Sequence, residues 1–167
     1  MASKRKAQKE TMKPTRRPWD RLWPWAFGGV VVAGVAVVAY GILNRPAYPR
    51  VGDHWHAPFS VEVCGRALGF PPSPGNVHTH GDGVIHVHPE TDEEGRQATL
   101  EAFFRSIGVS LSDGALVLPD GRRFRNGDRC GQRPGRLRVW VNGREMTVGE
   151  FLRHYPQDGD RIRVSFE

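Results

Sequence analysis

Apolar and polar positions divide the chain into two unlike parts. Residues 26–43, A-F-G-G-V-V-V-A-G-V-A-V-V-A-Y-G-I-L, carry no charge. With Trp23, Pro24 and Trp25 added, such a run predicts about 30 Å of helix, enough to cross the hydrocarbon core of a bilayer. Further along, apolar residues come in short alternating or helical bursts punctuated by Gly, Pro, Asn and Asp, a pattern that predicts a small α+β domain.

In chain order, residues 44–52 contain Pro46 and Pro49 and no apolar period, and read as a short stiff spacer. Residues 59–63, F-S-V-E-V, alternate as a half-buried strand does. Carried back through Pro58, the alternation would put His54 and His56 on the face of Glu62 and Cys64, and Pro58 leaves that register open. A Pro- and Gly-rich loop follows over 65–76. Residues 91–107 predict one amphipathic helix, capped by Thr91 with Glu94 and burying Leu100, Phe103, Phe104 and Ile107. Strands are expected over 115–118, 122–125 and 137–141, with Asn142-Gly143 as a hairpin turn. A second short helix over 147–154 turns Phe151 and Leu152 inward and leads to a last strand over 161–166. The domain therefore reads as a mixed or antiparallel sheet with two helices.

The stretch at 77–89, V-H-T-H-G-D-G-V-I-H-V-H-P, has the most telling alternation. Val77, Thr79, Ile85 and Val87 hold the odd positions, and His78, His80, His86 and His88 the even ones. Directly opposed residues of an antiparallel pair point to the same side, so a loop of odd length keeps all four imidazoles on one face. A three-residue loop pairs His80 with Val84, and a five-residue loop pairs His80 with His86. The expectation is a hairpin with one apolar face and one histidine face.

Charge changes the picture at the N-terminus only. The formal net charge is +6. Eight Lys and Arg against Glu10 and Asp20 place all of that excess in residues 1–21, and the remainder is balanced. With no basic groove left, nucleic acid is not expected as a partner. A cationic flank before an apolar run predicts a cytoplasmic N-terminus and an extracytoplasmic C-terminal domain by the positive-inside rule. No small-x-small site follows the run, so an uncleaved anchor is expected rather than a signal peptide. The layout expected is a basic tail (1–21), a transmembrane helix (22–43), a linker (44–52) and an extracytoplasmic His-rich metal-binding domain (53–167) at the cell membrane.

From D-H-W-H-A-P-F-S-V-E-V-C-G through H-T-H-G-D-G-V-I-H-V-H-P to D-G-D-R-I-R-V, the chain resembles a group of single-pass, membrane-anchored bacterial proteins that share this order of motifs. That resemblance implies the same layout and brings no activity. The run R-V-W-V-N-G-R-E-M-T-V-G-E-F-L onward resembles the ubiquitin-like β-grasp pattern of small sulfur-carrier proteins, which implies a fold for the C-terminal part. Those carriers work through a terminal Gly-Gly, whereas the sequence here closes with Ser165-Phe166-Glu167.

The chemistry lies in the histidines. An HxH pair on a strand sets two imidazoles on one side about 6.5–7 Å apart along the backbone, a gap that side chains can close around one ion. His78, His80, His86 and His88 are the candidate ligands, and a donor set of neutral imidazoles suits Zn or Cu best. His54 and His56 complete the same site, form another, or hold the domain entry. Binding should weaken below about pH 6.5 as the imidazoles take up protons. Asp82 reads as a turn residue between glycines. Cys64 and Cys130 are the only cysteines; they form a disulfide, or Cys64 serves as a thiolate ligand. The function expected is transition-metal binding for sequestration, delivery or sensing. A metal-dependent enzyme and an accessory subunit of a membrane complex stand as the alternatives.

Overall fold

A computed structural model of the chain describes residues 19–43 and 48–167, without the side chains of residues 19–22, 24 and 42. Most of the expected basic tail, and positions 44–47 of the expected spacer, lie outside the described residues. The chain forms two compact units, 1–45 and 46–167.

The first unit holds one helix, α1 (Trp19–Leu43). Among the described residues no helix is long and apolar enough to cross a membrane. Gly28, Gly29, Gly34 and Gly41 dilute the apolar surface of α1. The expected transmembrane helix is thereby corrected. So is the cell-membrane localisation built on it, with a cytoplasmic N-terminus and an extracytoplasmic domain.

The second unit is α+β. Its elements are β1 (Trp55–Val63), β2 (Arg66–Leu68), β3 (Val77–His78), β4 (Val84–Val87), α2 (Asp92–Gln97), α3 (Leu100–Ser106), β5 (Ser110–Ser112), β6 (Ala115–Val117), β7 (Arg123–Arg125), β8 (Arg129–Cys130), β9 (Arg133–Pro134), β10 (Leu137–Val141), β11 (Arg144–Met146), α4 (Val148–Arg153) and β12 (Ile162–Phe166). Seven strands make one mixed sheet in the order β11-β10-β12-β1-β4-β3, with β2 beside the end of β1. β1 and β12 run parallel, Val61 opposite Val164, while the other pairs are antiparallel. β5-β6-β7 form a small meander and β8-β9 a ribbon.

Alternation decides which face is the core. Ala57, Val61, Val63, Ile85, Val87, Val139, Ile162, Val164 and Phe166 are buried on one side of the sheet, together with Phe103 and Phe104 of α3 and Phe151 of α4. Phe103 meets Phe59 edge-on at 4.8 Å between ring centroids, and Phe104 lies 5.6 Å from Phe151. The β1 strand is longer than the sequence pattern suggests. It runs back through Pro58 because β4 pairs with only one of its edges there, and the missing proline N–H leaves no ladder bond unmade.

The single helix expected over 91–107 is two, so this unit has three helices rather than two. Ala98 leaves helical geometry at φ −74° and ψ 54°, and Thr99 caps a new start by accepting from the Ala102 N–H. Thr91 caps α2 in the same way, and Thr147 with Glu150 forms a full capping box on α4. A Cβ at Gly95 would run into the Pro49 carbonyl, so glycine there lets the buried Pro49 pack against α2.

Two polar devices fasten the C-terminal strands. Cys64 and Cys130 form a disulfide with Cα atoms 5.1 Å apart, which removes Cys64 from any ligand set and calls for an oxidising environment. Cys64 and Gly65, both left-handed, make the two-residue turn into β2. Asp160 is buried and accepts hydrogen bonds from His154 Nε2, the Gln157 N–H and Asn142 Nδ2. Burial alone would raise its pKa; the hydrogen bonds from His154, Gln157 and Asn142 outweigh it and hold the carboxyl below its ordinary value.

Replacing both cysteines by serine should remove about 4 kcal/mol of stability, given the 66-residue separation, as measured by urea unfolding. The Asp160 contribution should be present above the ordinary carboxyl pKa of 3.8 and lost as pH falls through its lower folded value. Asp160→Ala should cost about 1.5–3 kcal/mol at pH 7 and flatten the acid limb of the stability–pH curve.

Candidate metal centre

Cross-strand register builds the site. In β3 and β4, His78 lies opposite His86, where the ladder ends, and residues 79–83 connect the two strands. The parity read from the sequence holds for the paired residues, while His80 lies in the connection rather than opposite Val84 or His86 in the ladder. Between β1 and β4, His56 lies opposite His86 and Trp55 opposite Val87. His56, His86 and His78 thus form one row across three strands, on the side away from Val87 and Ile85. His54 continues the same parity, and its ring reaches His88 at 5.2 Å between centroids.

The six imidazoles close into a circuit. From His54 to His56 the ring centroids are 4.8 Å apart, then 4.9 Å to His86, 4.4 Å to His80, 4.8 Å to His78, 4.7 Å to His88 and 5.2 Å back to His54. Adjacent strands lie about 4.8 Å apart, so rings on neighbouring strands of one face come to this spacing. His54, His56 and His86 each offer a nitrogen, and these atoms lie within 4.8 Å of one another, so this triad can hold a metal ion. The pair of uncertain standing in the sequence, His54 and His56, is therefore part of the cluster. His78 and His80 approach at 3.4 Å between Nε2 atoms.

Exposure grades across the cluster. His54, His56 and His80 are exposed, His86 and His88 are partly covered, and His78 is 8% exposed. Burial pushes the His78 pKa below its ordinary 6.5, and the facing His88, His80 and His86 add to the shift, while the Gly75 backbone opposes it. An imidazole kept neutral in this way presents a lone pair to an ion at neutral pH. His78 Nδ1 is buried with no hydrogen-bond partner among the described residues.

Asp82 does more than the sequence indicated. Its Oδ1 accepts from the Val84 N–H and from Thr79 Oγ1, which closes the turn, and its Oδ2 lies 3.0 Å from His86 Nε2. The hydrogen bond from His86 is the main reason its carboxyl sits at about 2, with the Val84 N–H assisting. Such a carboxylate–imidazole contact fixes ring orientation and basicity, a role familiar in metal sites. Its signal in the sequence was the i,i+4 spacing from Asp82 to His86 across a tight turn, which alternation alone does not reveal. Glu62, by contrast, pairs with Arg163 at 3.0 Å. His154 is committed to Asp160.

Behind the histidines the apolar face is anchored by buried residues. Thr79 is fully buried, its N–H donates to Ser73 Oγ, and its carbonyl accepts from the Ser73 N–H. Ser106 Oγ of α3 in turn donates to Ser73 Oγ, so the helix layer fixes the loop over 65–76 and, through it, the hairpin.

Asp82→Ala removes both the turn bonds and the contact to His86, and should destabilise the metal-free protein by about 1–2 kcal/mol in urea unfolding. Asp82→Asn keeps an acceptor for the Val84 N–H and should cost less. No family model, curated protein or solved structure matches the chain.

Proposed function

We propose that this chain is a transition-metal-binding protein whose histidine face takes Zn(II) or Cu(II). The observation that carries the reading is the convergence of His54, His56 and His86, from strands far apart in sequence, with donor atoms within 4.8 Å of one another. His78, His80 and His88 adjoin them on the same face. Neutral imidazoles without thiolate favour these two metals over Mg or Ca, which take oxygen ligands. Both cysteines are withdrawn into the disulfide, so the donor set is nitrogen with Asp82 as the nearby carboxylate.

The layout suits holding an ion for sequestration, delivery to a partner protein or sensing. His54 and His56 are exposed at one side of the ring and His80 at another, so an ion can enter or be handed on without unfolding the domain. His78 and the Asp82–His86 contact supply the fixed part of the site. Because ligating imidazoles must be unprotonated, affinity should fall as pH drops below about 6.5.

Calorimetric titration of the metal-free full chain with Zn(II) and with Cu(II) tests the reading. Binding at micromolar Kd or tighter is expected, with a rise in thermal stability of about 2.7 kcal/mol at a hundredfold excess over Kd. His56→Ala/His86→Ala should weaken it by more than the 10–100-fold typical of losing an outer partner, and Asp82→Asn by about tenfold. Absence of micromolar binding for both ions would reject the proposal.

A further inference from the structure

The ring holds more donors than one tetrahedral ion can use, and they are not evenly spread. Structural zinc takes four ligands. Two nitrogens bound at about 2.0–2.1 Å to a tetrahedral ion lie about 3.3–3.4 Å apart. The Nε2 atoms of His78 and His80 are 3.4 Å apart, which matches that edge and is longer than the 2.7–3.2 Å of a good N–H hydrogen bond. His88 packs edge-on against His78 at 4.7 Å between centroids, so a third imidazole lies beside the pair. Within the ring, the triad of His54, His56 and His86 occupies one arc and His78, His80 and His88 the other.

Resting on the metal-binding reading above, we infer that the histidine face binds two transition-metal ions, the second held by His78 and His80 with His88 as the adjoining ligand. The two positions differ in character. Of the triad, His56 comes from β1, His54 from the residue just before it and His86 from β4, and His54 and His56 are exposed. The second position is built on the hairpin around His78, which is more than nine-tenths buried and whose ring is set by its place in β3. Nε2 is the His78 nitrogen that faces His80, while its Nδ1 is buried on the other side of the ring. Two dications on one face repel, and Asp82 is the carboxylate that contacts the ring. Uptake should therefore be sequential, the second ion binding more weakly than the first.

The test is metal content and stoichiometry of the full chain. Metal-free protein is loaded with Zn(II) and, separately, Cu(II), freed of excess ion, and assayed by elemental analysis beside a calorimetric titration. Two equivalents in two phases are expected for the wild type. His78→Gln/His80→Gln and His54→Gln/His56→Gln should each retain one. Because His78 is buried, the exposed His80→Gln alone provides a second variant, expected to lose one phase while the far-ultraviolet circular dichroism stays unchanged. One equivalent in the wild type, unaltered by His80→Gln, would overturn the second position and leave the triad standing. One equivalent abolished by either double variant would overturn it in favour of a single shared site. No retained ion of either kind would reject the metal-binding reading itself, and this inference with it.

Discussion

Directly opposed residues of an antiparallel sheet share a face, and that single constraint organises the histidine surface. With His78 opposite His86 and His86 opposite His56, three strands contribute to one row of imidazoles. A slip of one residue in either pairing would send the histidines of that strand into the core and bring valine and isoleucine to the surface. The register is therefore held by the same burial that stabilises the domain. Val77, Ile85, Val87 and Ala57 are each no more than 3% exposed, so moving any of these strands would expose a continuous apolar face.

What holds β1 in place is consequently part of the site. Its first half pairs with β4, its second half with β12 on the other edge and with β2 beyond the turn, so the strand carrying His56, with His54 just before it, is tied to two early strands and to the C-terminal one. The disulfide adds a covalent link from the end of β1 to β8, and the Cys64 N–H donates to the Phe166 carbonyl. Near the other end of β1, Asp158 accepts from the His56 N–H and the His56 carbonyl accepts from the Gly159 N–H. The buried Asp160 network fastens that same loop.

On the histidine face imidazoles outnumber carboxylates, and Asp82 is the carboxylate hydrogen-bonded to one of them. Elsewhere on the sheet, Arg163 is drawn to Glu62 and to the Trp140 ring, and Arg138 to Glu145 and the same ring, so these guanidinium charges are engaged away from the histidines. A site of this kind attracts cations through lone pairs rather than through a strong negative field. Its affinity is thus expected to depend on imidazole protonation more than on ionic strength.

The sequence by itself determined the local periods. Period-two alternation at 77–88, the Asn142-Gly143 turn, the last strand, the cap at Thr91 and the short helix after Thr147 are short-range features, and each appears where the pattern placed it within a residue or two. The break at Ala98–Thr99 escaped notice because the apolar spacing runs smoothly across it and only the cap at Thr99 marks the restart. The apolar run at 26–43 predicts a helix, and a helix forms, but among the described residues no helix is long and apolar enough to cross a membrane. Tertiary structure alone decided that His54 and His56 join the hairpin, since the pairing of His56 with β4 spans some thirty residues in a strand that contains a proline. It also decided that Cys64 meets Cys130 and that Asp82 turns back to His86. Strand parity is written residue by residue, whereas which strands become neighbours depends on how several apolar faces are buried together.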